Sequence, residues 1–186
     1  MKKLDTINRL IIFAFLGLLL GATSCSSNQY GKKVKEPFQG SKYQSNNNWF
    51  RAVGKGSSSQ DNIAKSKADL DAKTVLAGQL NTSVKKVADQ YLGQTENENA
   101  ADVADKFQSL AREVMNTEMA DLRKFDEEKY YNGEKYTVYV AYEIKKNAMF
   151  RYLKKQAKTS DKINDAERKK IEEIIDAELE KLDEGE

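Results

Sequence analysis

Few residues in this chain are equipped for chemistry, and most of those sit in patterns with a simpler explanation. The 186 residues contain no histidine, which removes His-based triads, His general bases and His metal sites. Cys25 is the only cysteine, so no disulfide forms within the chain and no second thiol is available as a nucleophile. Gly54-Lys55-Gly56-Ser57-Ser58-Ser59 precedes a helical pattern, and glycines at a helix N-terminus can receive an anion. Its spacing is not that of a Walker loop, and a plain turn is the better reading. Ser83-Val84-Lys85-Lys86 has the Ser-x-x-Lys spacing of penicillin-recognising enzymes but none of the companion motifs. The carboxylates Asp69 and Asp71, and Glu172, Glu173 and Asp176, fall on polar faces of charged helices, where solvation is the default. Tyr136, Tyr139 and Tyr142 could stack bases or sugars, but strand alternation puts Tyr136 and Tyr142 on the core side and leaves Tyr139 as the one candidate. No catalytic residue, metal ligand or cofactor is assigned, and the chain is read as a non-enzyme.

One stretch, Leu10 to Cys25, does carry a chemical assignment. Lys2, Lys3 and Arg9 precede an apolar run from Leu10 to Leu20, which gives way to Gly21, Ala22, Thr23 and Ser24 and then to Cys25. Basic flank, short apolar run and small-residue exit form the layout of a secretory signal, and the run is too short to span a bilayer comfortably. With the cysteine after the small residues, the segment resembles a bacterial lipobox, although Ala22 stands where leucine is more usual. That resemblance implies cleavage between Ser24 and Cys25 and a lipid-bearing Cys25. Ser26 follows in place of the aspartate that retains some lipoproteins in the inner membrane, which points by analogy to the outer membrane.

Removing residues 1–24 takes three cations and one acid from totals of 31 and 29, so the remaining chain is neutral. The apparent basicity belongs to the leader, and no nucleic-acid partner is expected. Residues 25–48 are polar, with a single proline at Pro37, and are read as a flexible tether. Lys32, Lys33 and Lys35 are solvated linker charges in the favoured reading and a basic aid to lipid binding in the other.

The domain itself is read as residues 49–158, followed by an acidic helix at 159–186. Trp49 to Val53 reads as a strand. Ala64, Ala68, Ala72, Leu76 and Leu80 recur every four residues and make one apolar helical stripe. Its alanine half predicts close packing on the small-residue face formed by Ala52 and Gly54. The stripe continues through Val84, Val87 and Tyr91 to about Leu92, where residues 81–92 would also suit a strand. A second helix spans about Ala100 to Asn116, with Val103, Phe107, Leu110, Ala111 and Val114 on one side. Asn132-Gly133 signals a two-residue hairpin turn, which would place Phe125 opposite Val140 and Lys129 opposite Tyr136. The strand before the turn is charged and suits a sheet edge; the strand after it is apolar and suits the middle.

A basic segment, Lys145 to Lys158, is predicted helical from Ala148. It precedes the acidic one, which Asn164-Asp165-Ala166-Glu167 opens as a capping box. On the acidic helix Ile171, Ile175, Leu179 and Leu182 form an apolar stripe. Docking on its own domain is the favoured reading. The alternative is a surface for a partner or a second copy, through a coiled-coil-like seam.

An acylated cysteine, a tether, a strand ending in V-G-x-G, the Ala64–Leu76 pattern A-x3-A-x3-A-x3-L and the hairpin ending Y-T-V-Y-V-A-Y-E-I-K-K at Tyr136 to Lys146 occur in that order. This order resembles the small Lpp-twenty-type envelope lipoproteins, whose domain is similar to parts of flagellar T-ring and basal-disc lipoproteins. The resemblance covers about Trp49 to Lys146. It implies an α+β fold, with a short antiparallel sheet (strand, helix, helix, hairpin) covered by helices on one face, here with an added C-terminal amphipathic helix. It implies no catalytic residues. The expectation is a lipid-anchored cell-envelope protein, held at the membrane through Cys25, that acts as a structural, assembly or protein-interaction module toward other envelope proteins or itself. The alternative is an accessory or ligand-binding module for envelope glycans or a secretion machine.

Overall fold

A computed structural model describes residues 31–184 apart from 97, 118 and 120. Ser24 and Cys25, and with them the leader and its cleavage point, lie outside the described residues. The folded unit begins at Glu36, and residues 31–35 before it carry no regular secondary structure.

A single 3-10 turn at Ser41–Tyr43 precedes strand β1 (Trp49–Ser58) and helix α1 (Asp61–Gln94). Helix α2 (Ala100–Thr117), strands β2 (Arg123–Tyr131) and β3 (Tyr136–Lys145), and helices α3 (Lys146–Thr159) and α4 (Asp165–Glu184) follow. The strands form one antiparallel sheet in the order β1-β3-β2, so the apolar strand is central and the charged one is an edge. The fold is α+β, as the resemblance implies.

The largest correction falls on the glycine segment. Gly54 to Ser58 does not turn; it continues β1, pairing with β3 as far as Ser58 opposite Tyr136. The reason lies in α1. A Cβ at Gly54 would stand 2.1 Å from the Ala68 carbonyl oxygen and 2.4 Å from the Ala72 nitrogen, and one at Gly56 would stand 2.1 Å from the Ala64 oxygen. The glycines are there because the helix backbone lies directly on the strand backbone. Ala64, Ala68 and Ala72 are fully buried in that contact. The helix N-cap is Gln60, without a side-chain bond.

Residues 81–92 are helical, and α1 runs past Gly93 to Gln94. At 34 residues it is about 50 Å long, well beyond the reach of a ten-residue strand, roughly 33 Å. Its second half therefore needs other cover. Leu80, Val84, Val87 and Ala88 are buried there, and α2 and α4 pack against the helix.

The hairpin register also differs. Tyr131 pairs with Tyr136, leaving a four-residue connection in place of the two-residue turn. The Asn132 carboxamide oxygen accepts the backbone N–H groups of Glu134 and Lys135 (3.1 and 2.8 Å), and Gly133 takes φ +94°. Val140 is thus opposite Glu127, and Lys129 opposite Val138. A slip of two residues keeps each side chain on its expected face. The alternation fails at Phe125, where a bulge lies between Lys124 and Asp126.

At the C-terminal end the capping box forms as read: Asn164 N–H donates to Glu167 (3.0 Å) and Glu167 N–H to Asn164 Oδ1 (2.9 Å). The basic and acidic helices pair through Lys154 to Asp176 (2.6 Å), Arg151 to Asp183 (3.6 Å) and Lys158 to Glu172 (3.8 Å). Ile171 and Ile175 are fully buried, and Leu179 and Leu182 are half-buried against the same core. The stripe read as a possible partner surface is the domain's own packing face. Burying those isoleucines, roughly 1.5–3 kcal/mol each, holds α4 down.

Candidate interaction surface

The helices cover one face of the sheet, where Phe50, Ala52, Val138, Val140, Tyr142 and Ile144 enter the core. Alternation puts Trp49, Arg51, Val53 and Lys55 of β1 and Tyr139, Ala141 and Glu143 of β3 on the other face. That face is not bare. Residues 36–48, expected to be part of a loose tether, cross it as a strap. Glu36 pairs with Lys55 and accepts the Tyr139 hydroxyl at 3.3 Å. Phe38 stacks on Tyr43 and Tyr43 on Phe125, with centroids at 4.7 and 5.7 Å. The Tyr43 hydroxyl donates to Asp126 at 2.8 Å, a bond that holds the Asp126 carboxyl below its ordinary range. The strap then returns to β1, where Ser45 bonds the Arg51 backbone in both directions. Tyr139, the expected stacking platform, is accordingly 8% exposed, with Tyr130 edge-on at 6.0 Å. It is packed and not presented.

At one end of this face Glu143 is 4% exposed. Arg51 Nε donates to it at 3.0 Å, Arg123 Nε donates at 3.0 Å, and Arg123 Nη2 makes a further contact. Burial opposes ionisation of Glu143, but the hydrogen bonds and charges of Arg123 and Arg51 outweigh it and hold its pKa below the usual carboxylate value. The Trp49 ring lies 5.8 Å from the Arg51 guanidinium and 5.7 Å from that of Arg123. A cleft of about 560 Å³ opens beside this node, lined by Lys42, Arg51, Arg123, Lys124, Phe125 and Glu143. Carboxylates already pair these cations: Asp126 with Lys42, Glu127 with Lys124, Glu143 with both arginines.

The remaining sequence candidates are accounted for by local contacts. Asp69 accepts the Tyr142 hydroxyl at 2.9 Å, and Asp71 accepts the Lys55 backbone N–H at 2.9 Å. Glu173 pairs with Lys170 (2.8 Å). Ser83 and Lys86 lie in the second half of α1. Among the described residues no group of three or more acidic or thiol side chains could hold a metal ion.

The two edges of the sheet are finished differently. On β1 many of the outward backbone groups are taken by neighbours. Asn46 engages Trp49 through both its backbone N–H and its side chain. Ser45 and Gln79 take Arg51, Asp71 takes the Lys55 N–H, and Lys67 donates to the Ser57 carbonyl. Because Arg51 and Lys55 point away from β3, antiparallel alternation turns Glu127, Lys129 and Tyr131 of β2 outward. Of these, Glu127 N–H is met by the adjacent Asp126 carboxylate (3.1 Å). No described residue bonds the outward backbone of Lys129 or Tyr131. Tyr131 is 58% exposed.

Sequence reasoning missed the strap and the Glu143 node. The signals were present: aromatic Phe38 and Tyr43 in a polar stretch, and a lone acid inside an apolar strand.

No protein-family model, no curated protein and no solved structure matches the chain.

Proposed function

We propose that this is a lipid-anchored cell-envelope protein whose folded unit serves as a structural or assembly module, binding other envelope proteins or further copies of itself. It is attached through an acylated Cys25, in the manner of the Lpp-twenty-type lipoproteins that its order of features resembles, with the outer membrane as its site. It carries out no catalysis of its own.

The observation that carries this reading is the Leu10–Cys25 pattern, taken with the strap. If Cys25 bears the lipid, only residues 26–35 separate it from the first anchored contact at Glu36. Eleven Cα steps span at most about 40 Å, against roughly 80 Å for a tether running to Trp49. The strap thus ties the membrane-proximal chain to the sheet, favouring a domain held near the surface for contact with fixed neighbours. No described helix is long and apolar enough to cross a membrane.

Metabolic labelling with a fatty-acid analogue tests the anchor. Wild type should incorporate the label and Cys25→Ser should not. Equal labelling of both overturns it.

A further inference from the structure

We propose that the cleft beside Glu143 is a binding site for a phosphate group carried on a larger molecule, received by the guanidinium groups of Arg51 and Arg123. The site does not depend on the anchor at Cys25.

The charge count at the node carries it. Two guanidinium groups meet one buried carboxylate, so one positive charge is left over there. Lys42 and Lys124, the other cations of the cleft, add nothing to that excess, since Asp126 and Glu127 already match them. Asp121 adds only a weaker, through-space pull on Arg123. Donors are left over as well. Arg51 uses Nε on Glu143 and Nη1 on the Gln44 carbonyl (3.3 Å), and Arg123 uses Nε and Nη2 on Glu143. Arg51 Nη2 and Arg123 Nη1 have no partner among the described residues, and both arginines line the cleft.

The node is also set in place before a ligand arrives. Arg51 on β1 and Arg123 on β2 are the register partners of Glu143 on its two sides, so the carboxylate holds both forks. Donors from two strands suit an oxyanion with three or four oxygens. A carboxylate has only two, which a single fork satisfies. The cleft, about 560 Å³, is far larger than a bare phosphate ion, so the group belongs to a larger molecule.

Trp49, the chain's single tryptophan, has its ring 5.8 and 5.7 Å from the two guanidinium groups, so its fluorescence reads the site. Inorganic phosphate is titrated into the full, detergent-solubilised chain at constant ionic strength. Wild type should give a saturable change, and Arg123→Gln should weaken binding at least about tenfold. Arg123→Lys, which keeps the charge and loses the fork, should fall between them. Lys85→Gln, which lowers the net charge equally from an exposed position on α1, should bind as wild type does. No saturable change in wild type overturns the site without reference to any variant. Equal affinity in wild type and Arg123→Gln, or equal weakening in Lys85→Gln, also overturns it. Glycerol 3-phosphate and glycerophosphoglycerol, the water-soluble headgroup of an anionic lipid, then compete in the same titration. Displacement by the diester assigns the site to a lipid headgroup, and displacement by the monoester alone assigns it to a free phosphate compound. Displacement by neither overturns the claim that the phosphate is carried on a larger molecule.

Discussion

The two edges of one small sheet solve the same problem in different ways. Both β1 and β2 have a row of backbone groups that face no strand. On β1 a long helix lies so close that its own side chains, Lys67, Asp71 and Gln79, reach round and take three of those groups. On β2 the same helix reaches only side chains, pairing Lys65 with Glu127 and Asp61 with Lys129, and leaves the outward backbone of Lys129 and Tyr131 without a partner among the described residues. Close helix packing is thus what caps backbone groups on one edge here, and on the other edge charged side chains guard the backbone instead.

Breaking the closed edge should have the largest effect. Gly54→Ala drives a methyl into the Ala68 carbonyl and must push α1 off the strand. We expect a loss of about 3 kcal/mol or more by urea unfolding. Ala68→Leu enters the same contact from the helix side and should cost roughly 1–3 kcal/mol; an unchanged melting temperature would contradict the packing.

The Glu143 node, where strap, β1, β2 and β3 meet, sharpens the comparison by pH. Its carboxyl is held below the ordinary value, so its contribution is complete above the unfolded carboxylate pKa and is lost as pH falls through the depressed one. Glu143→Gln should cost about 2 kcal/mol at neutral pH, and the gap to wild type should shrink in acid. A gap that stays constant with pH would refute the ion-pair account. Asp71→Ala uncaps one backbone group at an exposed position and should cost about 1 kcal/mol, with faster exchange of the Lys55 amide as its local signature. On the open edge Glu128→Gln alters one exposed contact, that with the Tyr130 hydroxyl, and should change monomer stability by no more than about 0.5 kcal/mol.

Much of this architecture is legible in the residues because it follows from periodicity. The four-residue alanine spacing predicts both α1 and its closeness to Ala52 and Gly54, and Asn164 with Glu167 predicts the start of α4. What misleads is local punctuation. Gly54 and Gly56 read as a turn because glycine's commonest use is conformational, whereas here both are needed for the absence of a side chain. Asn132-Gly133 marks the hairpin, but the carboxamide of Asn132 also fits a longer connection, and the register slips by two. The strap is invisible to pattern because it has no period; it is held by scattered aromatic and polar contacts to residues far along the chain. The α4 stripe reads equally well as a core face or a partner face, since amphipathicity does not say what covers it.

The contrast between the edges is tested most directly by residue-resolved hydrogen exchange of the full chain. The Arg51 and Lys55 amides, which donate to the Ser45 hydroxyl and the Asp71 carboxylate, should be protected. The Lys129 and Tyr131 amides should exchange fast. Protection of Lys129 and Tyr131 equal to that of Arg51 and Lys55 would contradict the account.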